Sequence, residues 1–397
     1  MDFYTNACEQ LESAPILRFK EFADPWKQIK LDEVAEINPR STVPEQFEYV
    51  DLESVLGTEL VSHRTESRDT APSRAQRLAK EGDIFFQTVR PYQKNNFLFN
   101  LPFENFVFST GYAQLRPRVN SPFLFAKLQE ENFVSAVLEK CTGTSYPAIN
   151  SADLSQIYID IPLNAEEQAA IGTFFRFIDI TITLYRHKLD LLRQLKKGYL
   201  QQMFPQPGES IPRVRFAGFT EKWEHNRFET LVQRLSKTSS DTALPMVEFD
   251  DIVSGYGLLN KDVYAKMDNK TGIKFNHGDI LYGKLRPYLK NWLLTNFEGV
   301  AVGDFWVLRP NDTDSGFMFS LIQSEEFQAV ANLSAGTKMP RADWKLVSNT
   351  AFYVPSLEEQ TAIGRFFHTL DTQISTHQAK LSTLKQLKAA YLQKLLI

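Results

Sequence analysis

The chain has 397 residues, 43% of them hydrophobic and 23% charged, with a formal net charge of −4. That length supports two to four compact domains with cores of their own, and the charge excludes a uniformly basic protein, so any grip on nucleic acid must come from local patches or from a partner. No apolar run approaches a membrane span, and the acidic stretch MDFYTNACEQLES does not read as a secretory signal. The two cysteines, Cys8 and Cys141, do not fall at equivalent places in the repeat described below, which points to a reducing, cytoplasmic setting rather than a disulfide framework.

The first stretch with a recognisable pattern is PILRFKEFADPW (Pro15–Trp26). Short aromatic and β-branched runs bounded by Gly, Pro and Asn follow, among them EGDIFFQTVRPYQKNN (Glu81–Asn96) and QLRP (Gln114–Pro117), and they read as strands and turns. One short amphipathic helix is expected near Phe123–Leu138, then a Gly-Thr loop in TGTSYPAINSADL, then a closing strand, IYIDIP. Asn164-x-x-Glu167 has the form of a capping box, and a long helix starts there. Its apolar residues Ile171, Phe175, Ile178, Ile182, Tyr185, Leu189 and Leu192 alternate at spacings of four and three, a coiled-coil seam. At ~1.5 Å per residue such a rod is about 55 Å long. FPQPGES (Phe204–Ser210) reads as a linker.

Everything then returns in the same order. Pro212–Trp223 repeats the opening, HGDILYGKLRPYLKNW repeats the strand and turn, VLRP repeats QLRP, and a second amphipathic helix is expected near Phe317–Leu333. AGTKMPRADW, the strand AFYVP and the capping box Ser356-x-x-Glu359 complete the copy. The second seam runs Ile363, Phe367, Leu370, Ile374, His377, Leu381 and Leu384, and His377 takes the place of Tyr185, a polar position that sets register. A repeat this long implies pseudo-two-fold symmetry rather than a short-period solenoid. The expected fold class is α/β: two strand-rich α/β heads, residues 1–164 and 206–355, separated by two long antiparallel coiled-coil helices, residues 165–205 and 356–397. Charge follows this division, with −7 over residues 1–164, +1 over 165–211, 0 over 212–355 and +2 over 356–397.

No catalytic constellation is visible. The six histidines lack metal-ligand spacing, no phosphate loop or nucleophile elbow occurs, and SGYG at Ser254–Gly257 reads as a turn. Asp279 with Lys284 only faintly suggests a nuclease pair, because the first copy has Asp83 but Thr88. No catalytic residue, metal or cofactor is therefore assigned. Binding residues are better candidates. The repeated R-P-Y-x-K turn offers Arg90, Tyr92 and Lys94, then Lys284, Arg286, Tyr288 and Lys290, suited to phosphates and base edges; alternatively the arginine packs on an aromatic to fix the turn. The Gly-Thr loops offer Thr144 and Ser145, then Thr337 and Lys338, close enough in size to approach a phosphate, or to be plain turns. Gly82-Asp83 and Gly278-Asp279 read as structural turns, and Arg18, Phe19 and Trp26, like Arg215, Phe216 and Trp223, as packing residues. Apolar residues lying off the seam, Phe174, Phe177, Ile180, Leu184 and Leu191, with Phe366 on the second helix, are candidates for docking a partner.

With these motifs in hand, the chain resembles the specificity subunits of Type I restriction–modification systems. The resemblance spans nearly the whole length. It rests on the twin heads, the GD-[IL]-[LF] and Gly-Thr segments, and the duplicated P-x(3–5)-EQ-x(2)-I-x(7)-D helix openings. It implies that the heads are target recognition domains, each reading half of a bipartite double-stranded DNA sequence. It also implies that the helices set the unread gap and dock two modification subunits, which methylate adenine. Two restriction subunits would add ATP-driven cleavage, and no membrane is involved. The heads differ between motifs, as in Ser62–Gln76 against Asn260–Lys274, so an asymmetric target is expected. Readings from other classes are an endonuclease or methyltransferase acting by itself, and a protein-only scaffold.

Overall fold

A computed structural model describes residues 3–5, 15–206, 208–265, 270–333 and 339–396. The chain divides into two units, residues 1–186 with 380–397, and residues 187–379. Each holds one head, the start of that head's own long helix and the end of the other helix.

In the first head, aromatic and β-branched runs form two four-stranded sheets. One has the order Phe97–Leu98, Ile84–Gln87, Tyr112–Pro117, Ala35–Ile37 and is antiparallel throughout. The other has the order Arg64–Ser67, Gln46–Val50, Phe106–Ser109, Ala75–Leu78, with its middle pair parallel. Ile84–Gln87 and Phe106–Ser109 are buried at every position, which is why they read as continuous apolar runs rather than alternating ones. Side chains from both sheets share one core: Phe85 stacks on Phe108 with ring centroids 3.6 Å apart, and Val50, Phe97 and Tyr112 pack around them.

The second head repeats the first sheet as Trp292–Leu294, Ile280–Gly283, Phe305–Pro310, Val232–Leu235, and repeats the parallel pair as Met246–Val247 with Gly299–Ala301. The heads part at the edges of the second sheet. The first adds Arg64–Ser67 beside Gln46–Val50, whereas the second adds Thr238–Ser239 beside Gly272–Phe275, at the other edge. The divergent segments thus differ in strand pairing as well as in side chains. Each head closes with a two-stranded ribbon, Lys27–Lys30 with Tyr158–Ile161 and Glu224–Arg227 with Ala351–Val354.

The single amphipathic helix expected in each copy is two helices, Ser121–Lys127 and Glu131–Glu139, then Ser315–Leu321 and Glu325–Ala331. In the second copy the break is chemical: the Ser324 side chain accepts from the Phe327 N–H at 3.3 Å and starts a new helix.

The long helices are Ala165–Gln202 and Leu357–Leu395. Ile171, Phe175, Ile178, Ile182 and Leu189 are buried, as are Ile363, Phe367, Leu370, Ile374 and Leu381, so the heptad reading holds. Tyr185 and His377 are only half-buried. Lys380 lies 5.5 Å over the Tyr185 ring, and His377 Nδ1 is 2.7 Å from the Gln373 carbonyl of its own helix. Phe204, expected to open the linker, is buried against Trp223, Phe317 and Phe367 and belongs to the second head's core.

In the first unit Phe174 meets Tyr391 and Asp179 pairs with Lys388; in the second Lys196 pairs with Asp371 and Tyr199 meets Phe366. Ascending numbers on one helix meet descending numbers on the other, so the helix segments in each unit are antiparallel. The ion pairs are equivalent, each 2.6 Å long, and each lysine also donates to a glutamine, Gln129 at 3.0 Å or Gln323 at 2.8 Å. Burial raises both aspartyl carboxyls above their ordinary value, against the opposing pull of the lysines.

The helix openings are welded to the heads. Arg18 donates to both Glu167 oxygens at 2.7 Å and the Trp26 indole donates at 3.3 Å; Arg215 does the same to Glu359 at 2.8 and 2.6 Å, with Trp223 at 3.2 Å. The capping boxes are consequently half made. Asn164 and Ser356 cap their helices, accepting from the Glu166 and Glu359 N–H groups, but the glutamates are taken by arginine and tryptophan. The following residue ties down the strand end: Gln168 donates to the Pro162 carbonyl and accepts from the Asn120 N–H, and Gln360 does likewise with Pro355 and Asp314. Four residues on, a Cβ at Gly172 would lie 2.4 Å from Asn120 Oδ1, and one at Gly364 2.3 Å from Asp314 Oδ1. The E-Q-x-x-I-G sequence is therefore a docking device for the head.

Two stability measurements check this. Glu167→Ala removes the carboxylate that meets the buried Arg18 fork and should cost about 3–5 kcal/mol in urea unfolding; a loss below about 1 kcal/mol would remove the clamp from the account. Gly364→Ala should destabilise by about 1–3 kcal/mol through overpacking. Gly198→Ala, where a Cβ would meet nothing within 4 Å, should stabilise by about 0.5–1 kcal/mol from helix propensity alone.

Candidate nucleic-acid interface

In each head the strand after the Gly-Asp turn runs into R-P-Y-x-K. Pro91–Gln93 and Pro287–Leu289 form single 3-10 turns, with proline presetting φ at the first position. The residues on either side are left-handed: Arg90 and Lys94 have φ of 55° and 53°, and Arg286 and Lys290 have φ of 48° and 57°. Glycine would adopt this backbone without strain, whereas other residues carry about 1–3 kcal/mol each. The same left-handed backbone recurs at the same two places in each head, each time on a cationic residue. Tyr92 and Tyr288 are 50% and 55% exposed beside them.

In the first head the turn and the Gly-Thr loop, separate motifs in the sequence, form one surface. The Arg90 N–H donates to the Pro147 carbonyl at 2.7 Å, and the Arg286 N–H to the Pro340 carbonyl at 2.7 Å. The Arg90 guanidinium lies 4.2 Å over the Tyr146 ring, so the arginine does stack on an aromatic, though not on the tyrosine of its own turn. Thr144 and Ser145 are exposed on that loop. Thr337 and Lys338 lie outside the described residues.

The cations are not equally available. Lys94 is held by the Glu131 carboxylate at 2.5 Å and the Gln129 carbonyl at 3.0 Å. Lys284 lies 3.5 Å from Asp304, which Arg341 also binds at 3.0 Å. Burial pushes the Asp304 carboxyl up, but Arg341 and Lys284 together hold it below its ordinary value. Lys290 is exposed and has no carboxylate at ion-pair distance among the described residues, and Arg286 Nε is buried with no acceptor among them.

The faint nuclease pair dissolves. Asp279 is buried and gripped by Arg309 through two bonds of 2.8 Å, as Asp83 is by Arg116 at 2.9 and 2.8 Å. The Gly-Asp and L-R-P motifs thus lock to each other and hold the strand that carries the turn. Among the described residues no group of three or more His, Cys, Asp or Glu is placed to hold a metal ion.

Two side chains escaped the sequence reading. Tyr146 is 64% exposed under Arg90; its place between the Gly-Thr pair and a proline was the available signal. Arg77, on the strand Ala75–Leu78, has a buried Nε without an acceptor among the described residues, and burial lowers the guanidinium pKa. Nothing local in the sequence distinguishes it.

On the long helices, Phe177, Leu184 and Leu191 stand at seven-residue spacing and are 69%, 62% and 65% exposed. Phe174 and Phe366, expected to dock a partner, instead pack inward, Phe174 on Phe19 and Tyr391, Phe366 on Tyr199 and Phe216. Where the first helix has Phe177, Leu184 and Leu191, the second has Thr369, Thr376 and Thr383.

A family model described as the Type I restriction modification DNA specificity domain matches residues 23–194 and again 237–386. The EcoDI specificity subunit of Escherichia coli is 21% identical over 310 residues, 68% of each chain, and the MjaVIII specificity subunit of Methanocaldococcus jannaschii is 23% identical over 299 residues, 69% of each. The crystal structure of a Type-I restriction-modification system S subunit from M. genitalium shares the fold with a TM-score of 0.66 at 16% identity, covering 97% of this chain and 99% of that one. With the repeated head, the repeated helix and two matched segments spanning most of its length, the chain belongs to the Type I restriction–modification DNA specificity family.

Proposed function

We propose that this chain reads a bipartite, asymmetric sequence in double-stranded DNA, one half with each head, for a complex that methylates adenine. The observation that carries the proposal is the turn that occurs twice. Arginine and lysine are held at the same strained positions in both heads, beside an exposed tyrosine, while the neighbouring sheet edges are built differently. One gripping element set beside two different surfaces suits two different words. In this reading Arg90, Tyr92, Thr144 and Ser145 serve one half-site, and Arg286, Tyr288 and Lys290, with Thr337 and Lys338, the other. Lys94 and Lys284 contribute field more than direct contact, because carboxylates already hold them.

The chemistry belongs to partner subunits. Phe177, Leu184 and Leu191 form an apolar stripe on the first long helix, and we assign it to docking one of two modification subunits. The threonine stripe on the second helix would meet the other. Restriction subunits, where the system has them, would join this assembly. The helices act as the spacer: their heptad seam fixes how far one half-site lies from the next.

Adenine methylation mapped in cells that express the chain with its modification subunits tests the reading. Arg90→Ala should relax selectivity in one half-site and Arg286→Ala in the other, by about 1–3 kcal/mol of discrimination at a base position. Relaxation in both half-sites from either change would contradict one-head, one-half reading. Removing one heptad from within Ile171–Leu200 should change the gap and leave both half-sites intact; altered half-sites would defeat the spacer role.

A further inference from the structure

We infer that the second unit carries a phosphate-binding cavity formed jointly by the R-P-Y-x-K turn and the long helix, so that the spacer itself grips the DNA backbone. The cavity, about 320 Å³, is lined by Lys290 of the turn, by Arg193, Lys196 and Lys197 of the helix, and by Tyr256 and Trp292. Lys196 is spoken for by Asp371 at 2.6 Å. Glu325, the other carboxylate in the lining, turns to Gln201 at 2.6 Å rather than to a lysine. Lys197 and Lys290 are exposed and have no carboxylate at ion-pair distance among the described residues.

Two donors in this lining are orphaned. Trp292 is 3% exposed, and its indole N–H has no acceptor among the described residues; neither has the buried Nε of Arg193. A buried donor left unmade is costly and rare in native structures, and two belong to side chains that line this cavity. The Arg193 guanidinium is also placed, 4.6 Å over the Tyr256 ring, bonded to Gln378 at 2.9 Å and 3.4 Å from the Asp190 carboxylate of its own helix. Tyr256 belongs to the S-G-Y-G turn, whose Gly255 N–H donates to the Lys290 carbonyl at 2.9 Å, so turn, helix and lysine are one construction. The sequence reading saw this segment only as a turn.

The first unit supplies an internal control. The equivalent cavity, about 170 Å³, is lined by Lys94, Gln129, Glu131, Lys385 and Lys388. There Glu131 closes on the turn lysine, Lys94, at 2.5 Å, so a carboxylate of the protein answers it. In the second unit the corresponding acid looks away and the space stays open. An anion with multiple acceptor oxygens fits the exposed cations Lys197 and Lys290 beside the Arg193 guanidinium, and a phosphodiester reaches them because the same turn faces DNA in the reading above, on which this inference rests.

The test measures binding of the full chain to a duplex carrying its mapped target and to a scrambled duplex, across a salt series. Each phosphate contact contributes about 0.9 to the slope of log Kobs against log salt. Lys197→Ala, on the helix and outside the turn, should reduce that slope by roughly one, weaken both duplexes by the same factor and keep their ratio. Lys94→Ala in the first unit, whose charge Glu131 already answers at 2.5 Å, should lower the slope less. Inorganic phosphate should not compete at concentrations that merely add ionic strength; phosphate-specific competition would reassign the cavity to the free ion. An unchanged slope overturns the inference, as does a selective loss of modification-subunit capture, which would make the cavity a protein site. If the unaltered chain fails to prefer its target over the scrambled duplex, the DNA-recognition reading itself falls, whatever the slope does.

Discussion

The carboxylate of one glutamate in each copy, Glu167 and Glu359, is what the rest of the structure is arranged around. Its two oxygens are saturated by an arginine and a tryptophan from the start of the head, while its backbone belongs to the first turn of a long helix. Such a buried pair adds little net stability compared with apolar packing, and its value lies in direction. A guanidinium fork and a carboxylate meet in one plane, so the helix cannot rotate about its axis without breaking both bonds. The neighbouring glutamine and glycine tighten the same joint, one by tying the strand end, the other by letting backbones meet. Head and helix therefore act as one piece at that end, and a change in helix register is felt in the head's strands.

From this joint outward, the copies are alike in inverse proportion to what they face. The joint repeats residue for residue, with arginine and tryptophan on the glutamate in both copies. The Asp–Lys–Gln arrangement between the helix segments also repeats, as Asp179, Lys388 and Gln129 and as Asp371, Lys196 and Gln323. The gripping turn repeats in backbone, down to its left-handed arginine and lysine. Differences begin at the sheet edges and in the cavities behind the turn, where Glu131 holds Lys94 in one copy and Glu325 turns to Gln201 in the other. The outer stripe of the long helices differs most plainly, apolar on one and threonine on the other. A near-neutral protein that must hold a polyanion gains from such concentration of free cations at a few places.

Much of this was legible because it is local or periodic. Heptad spacing gives the buried seam, duplicated offsets give the two heads, and glycine with aspartate gives the turns. What stayed hidden depends on partners distant in sequence. The glutamate of the E-Q motif looks like half of a capping box, because the arginine that claims it lies some 149 positions away. Phe174 and Phe366 look like free apolar surface until the crossing helix supplies Tyr391 and Tyr199. A run of mixed polarity such as Ser62–Gln76 does not reveal which edge of a sheet it will extend. Arg77 and the cavity around Trp292 are of the same kind, since an unmet donor is a property of packing and not of any motif.

The most direct test exchanges one head while keeping both joints. Residues 224–354 would be replaced by 27–161, ribbon for ribbon, so that Arg215, Trp223 and Glu359 still hold the second helix. Expressed with modification subunits, this chain should direct methylation to a sequence in which the first half-site occurs twice, as an inverted repeat across the original gap. Retention of the second half-site, or a changed gap with the helices untouched, would contradict the account.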